Sequence, residues 1–191
     1  MMSGTLDIIL GPMYAGKSTK LINIFRKNSL LMKRICVINY SEDNRYANDS
    51  LCTHDGDKIP SVKLESLSIL KNNDYLQNYD MFIIDEGQFY SDLVDVCRYL
   101  VDCKKDIVVA GLSSDFQMKQ FGQLINLIPF CNNVEKISTD CRFCSKKAYF
   151  TKRLTKETHQ KIIGNNIYAP VCRLCHSREF TDDEIDASYF F

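Results

Sequence analysis

The chain is 191 residues long, enough for one medium domain or one domain with a small appendage, and 45% of its residues are hydrophobic, enough to bury a proper core. Twenty-four basic residues balance 24 acidic ones, so no global field favours nucleic acid or a membrane surface as partner. No apolar run approaches the ~18 residues that span a bilayer, and no hydrophobic leader opens the chain, so a soluble, cytoplasmic protein is expected.

In chain order, "TLDIIL" (5–10) reads as a buried strand running into "GPMYAGKST" (11–19). This is the G-x-x-x-x-G-K-[ST] pattern of a phosphate-cradling loop. Gly11 and Gly16 allow backbone conformations closed to residues with a Cβ. The loop of Gly11, Pro12, Met13, Tyr14, Ala15 and Gly16 can then turn its N–H groups on phosphate oxygens, at the positive end of the next helix. Lys17 would reach the β- and γ-phosphates, and the Ser18 hydroxyl would ligate Mg²⁺. The stretch "KSTKLINIFRKNSLLMK" (17–33) sets Leu21, Ile24, Phe25 and Leu31 near helical spacing. The chain is therefore expected to bind a nucleoside triphosphate.

A second strand, "RICVINY" (34–40), leads into "NYSEDNRYANDSLCTHDGDKIPS" (39–61), polar, turn-rich and too long for an idle connection. There Asp43 offers a second acid for Mg²⁺ and Arg45 a cation for the transferring phosphoryl group, although the pattern fits a solvent-exposed loop equally well. "MFIID" (81–85) is an apolar strand ending in Asp85–Glu86, the Walker B arrangement in which the aspartate holds the Mg²⁺ shell. Glu86 would aim at whatever attacks the γ-phosphate: water in an ATPase, a substrate hydroxyl in a kinase. A guanine-reading N-K-x-D motif is absent from the sequence, which disfavours a GTPase. Leu93, Val96, Cys97, Leu100 and Val101 trace one helical face, and "DIVVAGL" (106–112) and "NVEKIS" (133–138) supply further strands. The alternation predicts an α/β fold with a parallel sheet of P-loop NTPase type. Cys36 and Cys97 fall in apolar patterns as reduced core thiols.

After Ser138 the α/β rhythm stops. "CRFC" (141–144) and "CRLC" (172–175) form C-x₂-C-x₂₇-C-x₂-C, a knuckle pair whose Cys141, Cys144, Cys172 and Cys175 can bind one tetrahedral structural Zn²⁺. All four positions are cysteine, so no ligand position is left for a catalytic water, and the adjacent His176 is read as a bystander. The basic clusters "KRLTK" and "CSKK" are read as solvated faces. The expected division is a nucleotide-binding α/β domain over 1–138, a zinc-binding domain over 139–177 and a tail over 178–191. Two other readings remain open at this point: a P-loop ATPase using Glu86 on water, and a zinc-ribbon nucleic-acid adaptor switched by nucleotide, against which the balanced charge argues.

The motifs together resemble the zinc-containing thymidine kinases. "GPMYAGKST" is similar to the family's phosphate loop, with Ala15 where serine is common; "DNRY" (43–46) and "CTHD" (52–55) to its magnesium and transition-state loop; and "DEGQF" (85–89) to its most diagnostic string. "DFQMKQFG" (115–122) resembles its base-pocket segment, and "YFTKRL" and "IIGNNIYAPVCRLC" its thymidine-enclosing loop and second knuckle.

The resemblance implies a RecA-like sheet, a zinc ribbon bearing a lasso-like lid, and transfer of the γ-phosphoryl group of ATP to thymidine, with deoxyuridine a possible acceptor, in nucleotide salvage. It implies that Glu86 takes the proton of the 5′-hydroxyl, that Asp85 and Asp43 organise Mg²⁺ with Ser18, that Arg45 steadies the phosphoryl group in flight, and that Gln88 belongs to the nucleotide-binding set. Phe89, Leu112, Phe116 and Phe121 would wall the thymine pocket, Thr151 would face the methyl group, and Tyr168 would contact the nucleoside. Gln160, Lys161, Ile162, Ile163 and Gly164 would offer main-chain groups to the base edge. A homotetramer and inhibition by thymidine triphosphate are implied by the same likeness. The chain departs from the family at "LSSDF" (112–116), where Leu-Asp-Gly-Thr-Phe is usual, which bears on the pocket edge, and by about one residue missing between Gly164 and Tyr168.

Overall fold

The computed structural model describes residues 3–41, 50–53, 56–162, 167–181 and 184–185. Strand β1 (Thr5–Gly11) leads through the glycine loop into helix α1 (Lys17–Leu30), and β2 (Ile35–Tyr40) follows. β3 (Ser50–Cys52) and β4 (Lys58–Pro60) form an antiparallel hairpin, and β5 (Val62–Leu64) comes next. Helix α2 (Asn73–Asn78), β6 (Met81–Ile84), α3 (Leu93–Asp102), β7 (Asp106–Leu112) and β8 (Asn133–Lys136) complete the first part of the chain. The main sheet has six strands in the order β5-β2-β6-β7-β1-β8, and every pairing is parallel.

A parallel sheet covered on both faces needs strands that are apolar at nearly every position. The period of two then deals alternate residues to two cores. Leu6, Ile8 and Leu10 of β1, Phe82 and Ile84 of β6, and Ile107 and Val109 of β7 pack on one face with Leu93, Val96, Cys97 and Leu100 of α3. Ile9, Ile83, Val108 and Ala110 pack on the other with Leu21 and Ile22 of α1. Burial pushes the thiols of Cys36 and Cys97 up to about 12, so both stay neutral core groups as expected.

Two expectations need correction. Leu31 is not on the buried face of α1: the helix ends at Leu30 and Leu31 is 64% exposed, while Ile22 takes the core position. The polar stretch 39–61 is not one loop, because its described part carries the β3/β4 hairpin, whose Leu51 and Ile59 are buried against α1. Each of those strands has three residues, too few for a periodic signal.

A second, smaller core follows. β9 (Thr139–Asp140) pairs antiparallel with β10 (Lys147–Ala148), and β11 (Phe150–Arg153) with β12 (Tyr168–Val171), before helix α4 (Arg173–Ser177). Ala148, Ala169 and Val171 pack there with Cys141, Cys172 and Cys175. The excursion between β11 and β12 therefore starts and ends on one hairpin.

Candidate active site

The carboxyl ends of β1, β6 and β7 meet at one edge of the sheet, the usual place for a ligand in an open α/β fold. Gly16 caps α1 in the left-handed region (φ 81°), which only glycine adopts without strain. Lys17 is buried, and its ammonium donates to the Pro12 carbonyl at 2.8 Å and sits 3.5 Å from that of Gly11, inside its own loop. The Ser18 hydroxyl donates to Asp85 Oδ2 at 2.8 Å, spanning the intervening β7. Burial first, then the charge of Glu86, pushes the Asp85 carboxyl up to about 6, with Lys17 and Ser18 opposing. A buried carboxyl and a hydroxyl at hydrogen-bond distance are the hard oxygen donors that suit Mg²⁺. Asp43 and Arg45 lie outside the described residues.

Glu86 follows with its backbone in the left-handed region (φ 53°, ψ 40°), uncommon for a residue with a side chain. Its Oε2 accepts from Gln88 Nε2 at 2.6 Å. Gln88 Oε1 in turn accepts the backbone N–H of Leu112 at 3.0 Å.

Next to these groups is a cavity. Met13, Glu86, Gln88 and Phe89 line it together with Leu112, Asp115, Phe116 and Phe121. Thr151, Gln160, Lys161, Ile162 and Tyr168 close the ring, so the structure brings together every described side chain of the expected nucleoside pocket. Ile163 and Gly164 fall outside the described residues. Phe89 meets Phe121 edge-on at 5.5 Å and lies 4.9 Å from Tyr40. The Thr151 hydroxyl accepts from the Met13 N–H at 3.0 Å, tying the phosphate loop to β11.

Two residues here lie in motifs singled out from the sequence but were given no role of their own. Arg153, read as part of a solvated basic cluster, is only 6% exposed and lies 3.8 Å over the Phe116 ring. It donates to the carbonyls of Glu157, His159 and Gln160 and to the Tyr168 hydroxyl, holding the start of the excursion in shape. Asp115 is a buried carboxylate at the pocket edge. Neither a lone arginine nor a lone aspartate carries a spacing signal.

The four knuckle cysteines converge, with sulfurs all within 4.8 Å of one another. Cys144 Sγ is 3.6 Å from Cys172 Sγ and 3.7 Å from Cys175 Sγ. Four sulfurs at ~2.3 Å from a tetrahedral Zn²⁺ stand ~3.8 Å apart, so the cluster fits that ion. Burial opposes a thiolate at Cys172, but the Cys175 N–H and the neighbouring thiols outweigh it and hold the group down at about 7. His176 is not part of the cysteine cluster: its Nε2 lies 2.8 Å from the carbonyl of Phe116, a residue of the cavity wall.

The model of the family described as "Thymidine kinase" matches residues 4–176. The chain belongs to the thymidine kinase family. It is 41% identical over 175 residues to the thymidine kinase of Yaba monkey tumor virus, covering 91% of this chain and 95% of that one. It is 38% identical over 177 residues to the thymidine kinase of Vaccinia virus (strain Western Reserve), covering 92% and 98%. A plant protein, the thymidine kinase of Oryza sativa subsp. japonica, is 39% identical over 176 residues, which cover 89% of this chain and 65% of that one. As a thymidine kinase family member the chain is an enzyme of the phosphotransferase class, built on a wholly parallel six-stranded sheet. No described helix is long and apolar enough to cross a membrane.

Proposed function

We propose that the enzyme transfers the γ-phosphoryl group of ATP to the 5′-hydroxyl of thymidine, accepts deoxyuridine as well, and works in cytoplasmic nucleotide salvage. The observation that carries this reading is the shared cavity: Glu86, next to the Mg²⁺-suited pair of Ser18 and Asp85, opens into a pocket walled by phenylalanines. A pure ATPase has no use for an aromatic pocket beside its base.

The division of labour follows from phosphoryl-transfer chemistry, in which positioning and charge neutralisation dominate. Lys17 and the N–H groups of residues 14–18 take the phosphates. Ser18 and Asp85, with Asp43, would hold Mg²⁺, which neutralises phosphate charge when bound. Glu86 accepts the proton of the acceptor hydroxyl as it attacks, and Arg45 balances charge on the phosphoryl group. The phenylalanines receive the base, and the excursion anchored by Arg153 covers it and excludes water. Cys141, Cys144, Cys172 and Cys175 would hold Zn²⁺ and fix the hairpin that carries this cover. We assign residues 1–138 to nucleotide binding and 139–177 to the covering domain, and propose a homotetramer inhibited by thymidine triphosphate.

The test is ADP release with ATP, Mg²⁺ and each natural nucleoside in turn, beside a reaction with none. Thymidine should give the largest rate, deoxyuridine a lower one and purine nucleosides none. Equal ADP release without nucleoside would replace the kinase reading by the ATPase one.

A further inference from the structure

We propose that Gln88 is a positioning residue that clamps the Glu86 carboxylate to the end of β7 and does not itself bind nucleotide. This rests on the reading of Glu86 as the base, and it assigns to Gln88 a different task from the nucleotide contact that the family likeness implies.

The geometry fixes which way the amide points. Gln88 is 3% exposed. Its Oε1 is occupied by the Leu112 N–H at 3.0 Å, a donor that leaves only the oxygen as partner. The amide nitrogen must then face Glu86, and it does so at 2.6 Å, the short distance of a hydrogen bond to a charged acceptor. A rigid strand thus holds the amide, and the amide holds the carboxylate. The anchor is well chosen, because the last residues of β7 pair in register with those of β1, and β1 delivers the phosphate loop. Base and phosphate loop are referenced to the same pair of strands.

The surroundings are shaped around this side chain. A Cβ at Gly111 would collide with Gln88 Oε1, and one at Gly122, itself at φ 59°, with the Gln88 backbone carbonyl. Glu86 sits in a sparsely populated backbone conformation, which persists only when neighbours over-determine it. The Gln88 clamp supplies that determination two residues away. A general base must lie within hydrogen-bond reach of its proton, and small displacements lose rate steeply.

The experiment is a double-mutant cycle between Gln88→Met and Glu86→Gln, read as kcat and KM for both substrates. Gln88→Met should lower kcat at least ~10-fold, the scale of one hydrogen bond to a charged group, with both KM values within about twofold of native. In the Glu86→Gln background the same change should cost nothing further. If the KM for ATP rises while kcat holds, Gln88 is a nucleotide ligand and the proposal fails; if the two losses multiply, its role is only structural and the proposal fails again. Should Gln88→Met not fold, Gln88→Glu, which keeps an acceptor for Leu112, should still lower kcat and leave KM; native kcat in that variant would overturn the clamp. Glu86→Gln alone at native kcat would instead remove the base reading, so the two failures stay distinct.

Discussion

Gln160 donates its side-chain amide to Asp115, 45 residues earlier, at 2.8 Å. The other oxygen of that carboxylate accepts the N–H groups of Gln117 and Lys119 at 2.9 and 2.8 Å, closing the turn at the pocket edge. The departure "LSSDF" thus leaves Leu112 and Phe116 in the pocket wall and ties Asp115 to Gln160, a contact that would latch the proposed cover. Gln160→Ala should raise the KM for nucleoside roughly 5- to 10-fold, the loss of one charge-assisted hydrogen bond, while kcat and the KM for ATP stay near native. Steady-state kinetics with each substrate varied in turn decide it; an unchanged nucleoside KM means the cover closes without this contact.

Lys17→Met should reduce transfer by at least ~10²-fold and leave the fold intact, because the ammonium is held against the Gly11 and Pro12 carbonyls of the phosphate loop, where its charge serves entering phosphates. Near-UV dichroism checks the fold and ADP release the rate. Substantial turnover in this variant would remove residues 11–18 from the nucleotide site.

Stripping the metal, or replacing Cys172 with serine, should disable nucleoside binding before ATP binding. The cysteine cluster and the cavity meet at His176 and Phe116, and the cover rises from the hairpin packed on those cysteines. Structural zinc commonly contributes ~10 kcal/mol or more of apparent binding free energy, ample to hold such a segment. Paired titrations with ATP and thymidine on metal-free protein are the measurement. Equal thymidine affinity with and without metal would show that the cover holds its shape unaided.

At the opposite end of the sheet, hydrogen bonds from Arg34 hold the Asp80 carboxyl down at about 2. A carboxyl depressed on folding contributes stability above its unfolded value of ~3.9 and loses it as pH falls through the folded value. Asp80→Asn should therefore be less stable than the native chain at pH 6, with the gap closing toward pH 2 and activity unaffected. Urea midpoints at the two pH values check the sign; a gap that widens in acid would contradict it.

The sequence by itself determined the phosphate loop, the acidic strand end, the cysteine knuckles and five of the six strands of the parallel sheet. Each is a local pattern: glycines fixed by backbone geometry, thiols fixed by ligand spacing, and apolar runs required by burial on both faces. The sequence also carried the pocket phenylalanines, but only through family likeness, since a phenylalanine in a wall and one in a core look alike in a string. Tertiary structure alone decided the rest. It showed that β5 joins the sheet, that Leu31 is exposed at a helix end, and that Arg153 is buried among carbonyls that no sequence pattern announces. It also turned Gln88 toward Glu86 and Asp115 toward Gln160. Those pairings depend on which strand ends lie side by side and on how each amide is satisfied. A hydrogen bond between distant residues leaves no periodicity for a sequence to display, because its partners are chosen by packing.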